Sequence, residues 1–144
     1  MKYFYLIISI LLTLFAFFMS VQTGETSSEI SSSFSISIYN IFISIFENSS
    51  VSFDSFHALV RKLAHITEYF LLGAFWLITF VKFQLPLNHA LIIGLLIACI
   101  DEGIQFITPE RGPSIIDLFL FDYSSYLLGH FLIRKWNIYK NKVS

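Results

Sequence analysis

Four separated apolar runs, each about as long as a bilayer is thick, constrain this chain more than any other feature. Residues 3–21, 63–81, 90–107 and 115–133 each approach the ~20 mainly apolar residues that a helix needs to cross hydrocarbon. Lipid offers no water to unpaired N–H and C=O groups, so such runs are read as helices that bond their own backbone. The expected fold is an all-α integral membrane protein: a four-transmembrane-helix bundle in a single domain, residues 1–144. Composition agrees, because 144 residues that are 56% hydrophobic and 13% charged, with a mean hydropathy of +0.72, carry more apolar surface than a water-soluble fold can hide. The first run exceeds a typical signal-peptide core of ~7–15 residues and no small-x-small cleavage site follows it, so a retained helix is favoured over a cleaved signal.

Charge between the runs sets an orientation. Lys2, Lys82, Arg134, Lys135, Lys140 and Lys142 fall on one side of the layout, and Arg61, Lys62 and Arg111 on the other. Six cations against three place both termini in the cytoplasm by the positive-inside rule. The segment 22–60 and the turn 108–114 are then extracellular. Its serine-rich start, VQTGETSSEISSS, has no apolar face and is expected to be an exposed connection. Beyond it Phe34, Ile38, Ile41 and Ile45 recur at helical spacing, which predicts an amphipathic helix lying on the membrane surface. The alternation of Phe34, Ile36 and Ile38 with serines is the competing strand pattern. Asn48-Ser49-Ser50 forms a glycosylation triplet, a common chance pattern.

Several ionisable residues fall inside the runs, where a charge costs about 2.5–3.5 kcal/mol on insertion scales unless it finds a partner, water or a function. Arg61, His65, Glu68 and Leu72 step by four, three and four, and so share one helix face, with Lys62 and Tyr69 beside it. Gly94, Ala98, Asp101 and Gln105 repeat that stepping in the third run, with Glu102 adjacent. Small residues on that face permit close helix contact, which turns its polar end towards a neighbour. Asp117 and Asp122 lie in the fourth run, after the turn TPERGPS that contains Arg111.

Antiparallel neighbours bring His65, Glu68, Glu102, Gln105, Arg111 and Asp117 to the same end of the bundle. Two readings compete for this convergence: a ligand-binding or reactive pocket, and a network that only pairs charges to fix helix register. As a pocket, its binding residues are Arg61, His65, Glu68, Glu102, Gln105, Arg111 and Asp117. The candidates for acid and base are His65, Glu68, Glu102 and Asp117. The Arg111 guanidinium suits a carboxylate or phosphate, and its structural role would be partner to Asp117.

No H-x-x-x-H pair is present, and neither a metal nor a cofactor is expected. A net charge of −1 gives no basic face for nucleic acid. His57, His89 and His130 stand near run ends and read as interfacial. Cys99, the single cysteine, has no adjacent base and reads as a small packing residue.

Two blocks, RKLAHITEYFLLG (61–73) and DEGIQFITPERGPSIID (101–117), resemble the signature blocks of the VanZ-like membrane proteins. The family pattern falls on Arg61, Lys62, His65, Glu68, Tyr69, Leu72 and Gly73, then on Glu102, Gln105, Phe106, Pro109, Arg111 and Asp117. The stretch SVQTGETSSEISS is similar to a further family segment. Two positions depart from the pattern. Glu110 stands where the family usually has Gly. Phe121 stands where an Asn or Asp commonly follows the motif aspartate by four residues, and Asp122, Ser125 and Gly129 fit that part of the pattern only after a one-residue shift.

The resemblance implies a multi-pass protein of the bacterial cytoplasmic membrane, from a family named for a member that accompanies glycopeptide-resistance clusters and gives low-level teicoplanin resistance. The functional expectation is an accessory or binding protein whose outer pocket meets the bilayer and a cell-envelope amphiphile, such as a lipid-linked precursor or a lipoglycopeptide. The alternative is a membrane-embedded enzyme that modifies such a lipid with a His/Glu/Asp/Arg site. A proton or ion path is a weaker third expectation, because the inner half of the bundle shows almost no ionisable residue.

Overall fold

The computed structural model describes residues 1–46, 51–109 and 114–143, and among them no strand occurs. Four helical segments are long and apolar enough to span a membrane: α1 (Lys2–Val21), α3 (Phe53–Phe83), α4 (Leu87–Ile107) and the composite Ile115–Asn137. That composite opens with the short α5 (Ile115–Asp117), passes through a π-helical segment (Leu118–Tyr123) and continues as α6 (Ser124–Val143). The glycosylation triplet, Glu110 and Arg111 lie outside the described residues.

The segment between the first two spans departs from expectation in its first half. The serine-rich stretch is not an irregular connection, because α2 (Gly24–Ile45) starts within it, although Thr26, Glu29 and Ser33 are exposed as expected. Thr23 Oγ1 accepts the Thr26 N–H at 3.2 Å, an N-cap that starts the helix despite the absence of an apolar face. Helix overrides the alternating pattern of Phe34, Ile36 and Ile38. The face turned to α3 carries Ser35, Tyr39 and Phe42, with Tyr39 and Phe42 packed on Phe56. Phe34, Ile41 and Ile45, three of the four residues of the expected stripe, stay exposed.

α3 begins ten residues before the expected boundary, where Ser52 Oγ accepts the Ser55 N–H at 3.3 Å. Its 31 residues correspond to ~46 Å of helix, against ~30 Å of hydrocarbon, so its first turns extend past the bundle and support α2. At its other end Gln84 adopts the left-handed conformation (φ 57°), and its N–H bonds back to Phe80 and Val81 before Pro86 opens α4.

The bundle packs as lipid requires, with small and hydroxyl side chains inside and large apolar ones outside. On α1, Ser9, Ala16 and Ser20 are buried, whereas Phe4, Ile7, Leu11, Leu14 and Phe18 face outward. Ser9 bonds Thr79 at 3.0 Å and Trp76 donates to Thr13 at 3.1 Å, which ties α1 to α3.

The closest approach is between α3 and α6. A Cβ on Gly73 would lie 2.0 Å from the Tyr126 carbonyl oxygen, and one on Gly129 would lie 2.0 Å from that of Phe70. Only glycine at both positions lets these backbones touch. Gly94 of α4 in turn leaves room for the Tyr126 ring, whose hydroxyl donates to Ala90 O at 2.6 Å.

Two expectations about single residues are corrected. Cys99 points out of the bundle and takes no part in its packing. His130 is not interfacial: it is fully buried on α6, one turn beyond Tyr126. Asp122, Tyr126 and His130 step by four along one buried helix face, so the half of the bundle away from the acidic cluster also carries an ionisable side chain.

Candidate binding site

The acidic residues gather where the end of α1, the first half of α3, the end of α4 and the π-helical segment meet. Asp101 is buried there, and both its oxygens accept hydrogen bonds: the Ser20 hydroxyl donates to one, and Gln105 Nε2 donates to the other at 3.1 Å. Thr108 completes the seam by donating to the Ser20 carbonyl at 3.2 Å. Glu102, one residue on, accepts the Ser114 N–H at 3.0 Å, and Ser114 in turn caps Asp117 by accepting its N–H at 3.2 Å. The chain that follows the 108–114 turn is thereby fastened to α4.

From Asp117 onward the helix takes its π form. In an α-helix residues four apart stack; a π turn adds one residue to that spacing. Asp117 and Asp122, five apart, therefore line the same cavity. The π turn absorbs the one-residue shift seen in the sequence: Asp122, Ser125 and Gly129 all turn inward, and Phe121 takes a position at the cavity wall. Asp122 Oδ1 lies 4.0 Å from His65 Nδ1, an ion pair when the imidazole is protonated.

The cavity measures about 80 Å³ and is bounded by Lys62, His65, Glu102, Gln105, Asp117, Phe121 and Asp122. The Lys62 ammonium sits 4.6 Å from the centre of the Phe121 ring, a cation–π contact that holds the side chain at one side of the cavity. Of the expected binding residues, His65, Glu102, Gln105 and Asp117 line this space. Glu68 lies deeper, with its Oε1 sealed from solvent and without a hydrogen-bond partner. Arg61 is half-buried on α3, one turn before His65, and does not line the cavity; Arg111 lies outside the described residues.

Four contributors carry no signal, or only an incomplete one, in the sequence. Asp101 was seen only as part of a packing face, although its position beside Glu102 was a usable signal. Asp122 depended on a π turn. Ser20 and Thr108, at the ends of their helices, gave no signal of their own. No group of three or more metal-ligating side chains with metal-site geometry occurs among the described residues.

A family model described as VanZ/LLP1 matches residues 3–138. The chain belongs to the VanZ/LLP1 family. No curated protein and no solved structure matches it. Membership covers nearly the whole chain, so the four spans and the cavity of this VanZ-like membrane protein all lie within the family's domain. The family blocks quoted above supply His65, Glu102, Gln105 and Asp117 to one cavity, from helices far apart in sequence.

Proposed function

We propose that this VanZ-like protein is an accessory or binding protein that engages a cell-envelope amphiphile at the outer surface of the bacterial cytoplasmic membrane. A lipid-linked envelope precursor or a lipoglycopeptide is the proposed ligand, and low-level teicoplanin resistance the proposed outcome. The observation that carries the reading is the open cavity between Glu102, Asp117 and Asp122. A network whose only role was charge pairing would close on itself, because unpartnered charge in lipid is costly. Instead Glu68 retains a sealed, unpaired oxygen beside a space that holds no side chain.

The outward orientation rests on loop charge. Lys2 and Lys82 belong to the opposite end of the bundle, where the Lys2 ammonium lies 5.1 Å from the Phe83 ring centre. Both termini are then cytoplasmic by the positive-inside rule. The exposed Phe34, Ile41 and Ile45 of α2 would rest on the outer leaflet beside the cavity.

Replacing Glu102 by Gln and Asp117 by Asn should abolish teicoplanin protection and amphiphile binding while membrane insertion and detergent-solubilised size stay unchanged. Full protection by both variants would overturn the reading. A second, enzymatic reading draws on the His65–Asp122 pair beside the cavity, an acid–base arrangement. It requires turnover of an envelope lipid by the purified native protein that the Asp122→Asn form lacks.

A further inference from the structure

The cavity has a chemical polarity that the proposed function leaves unspecified. We propose that it accepts a protonated primary amine carried by the headgroup of its amphiphile. This rests on the binding reading above and names the feature the site selects.

Among the described residues, the carboxyl side chains of Glu102, Asp117 and Asp122 face the cavity together with Lys62, His65 and Gln105, and Glu68 and Asp101 lie close behind. Asp101 has both oxygens occupied by Ser20 and Gln105, and Glu102 has one occupied by the Ser114 N–H. Asp122 Oδ1 faces His65 Nδ1 at 4.0 Å.

A second feature points the same way: Glu68 Oε1 is sealed from solvent without a hydrogen-bond partner, and a buried polar atom left unpaired in lipid is costly.

The size of the space discriminates between ligand classes. A cavity of about 80 Å³ admits an aminomethyl or aminoethyl group. An ammonium has three donors and no acceptor, which matches the carboxyl oxygens of Glu102, Asp117 and Asp122. Lys62, held on Phe121 at the side of the cavity, is placed to meet the phosphate that accompanies the amine in a zwitterionic headgroup. The native histidine and lysine thus flank the amine without occupying its place.

The test uses the full-length protein reconstituted in nanodiscs of equal parts phosphatidylethanolamine and phosphatidylglycerol, released into the gas phase and read by native mass spectrometry. Retained phosphatidylethanolamine should exceed retained phosphatidylglycerol by about tenfold or more. The same preference should hold over N-acetyl-phosphatidylethanolamine, which keeps the phosphate and loses the cation. Preference should collapse in both Asp122→Asn and Glu102→Gln, with Gly103→Ala as a control that retains it, since nothing lies within 4 Å of a Cβ built on Gly103. A further arm adds free spermidine to protein in pure phosphatidylglycerol: saturable binding there, lost in both variants, would keep the amine and assign it to a soluble source. Equal retention of the amino and N-acetyl lipids, together with no spermidine binding, would overturn the amine assignment. That outcome leaves the proposed function standing if teicoplanin protection still depends on Glu102 and Asp117, so the two failures are distinguishable.

Discussion

The middle of the α3–α6 seam and the acidic end of the same helices follow opposite rules. At the seam, Gly73 and Gly129 let two backbones touch, and Leu72, Leu77 and Tyr126 are completely buried, with the Tyr126 hydroxyl bonded to Ala90. One or two turns away, Glu68 retains an unpartnered oxygen and a cavity stays open. In lipid the hydrophobic effect does not drive helices together, so close packing at the seam has to supply most of the association. That packing lets the other end tolerate polar groups that a marginal bundle could not hold. Close packing and the open acidic cavity are thus separated along the same helices.

The comparison is sharpest under changes of helix phase. Deleting Leu128 rotates Gly129 and His130 by about 100° relative to α3. The chain should then fail to yield a monodisperse species on size exclusion. Deleting Phe119 removes a residue from the π segment and lets it relax to an α-helix, with the downstream face kept in phase. That deletion should leave a folded protein, and a similar loss from both deletions would break the account of the π turn.

Smaller effects follow at single sites. Gly129→Leu drives a side chain into the Phe70 carbonyl and should destabilise by about 3 kcal/mol or more in an SDS-unfolding titration, whereas Gly103→Leu should change little because its surroundings are open. Ser20→Ala removes the donor that ties α1 to Asp101 and should cost about 1 kcal/mol. The smallest effect belongs to Glu68→Gln. It removes an unpartnered buried carboxylate, so unfolding midpoints should stay level or rise slightly. A marked drop there would place Glu68 in the packing half of the comparison.

How much was legible in advance differs between elements for physical reasons. The four spans were readable because a membrane helix must carry a continuous apolar run, a signal that needs no tertiary partner. Stepping by three and four placed His65 and Glu68, and separately Asp101 and Gln105, on common faces, because helical phase is local. The start of α2 was misread: its stability comes from the Thr23 cap and from packing on α3, and neither resembles an apolar period. His130 was misread because a histidine near a run boundary looks interfacial until the overlap of neighbouring helices is known.

Four spanning helices with acidic residues at one end of the bundle follow from the amino-acid order alone. Hydropathy and phase are properties of each segment alone, and the family blocks mark the same residues. That Asp122 joins Asp117 at the cavity, that Ser20 occupies Asp101, and that space remains between Glu102 and Asp122 emerge only once the helices pack. Those outcomes depend on how far one helix turns and how closely another approaches. A π turn and two glycine contacts set these distances, and no single segment encodes them.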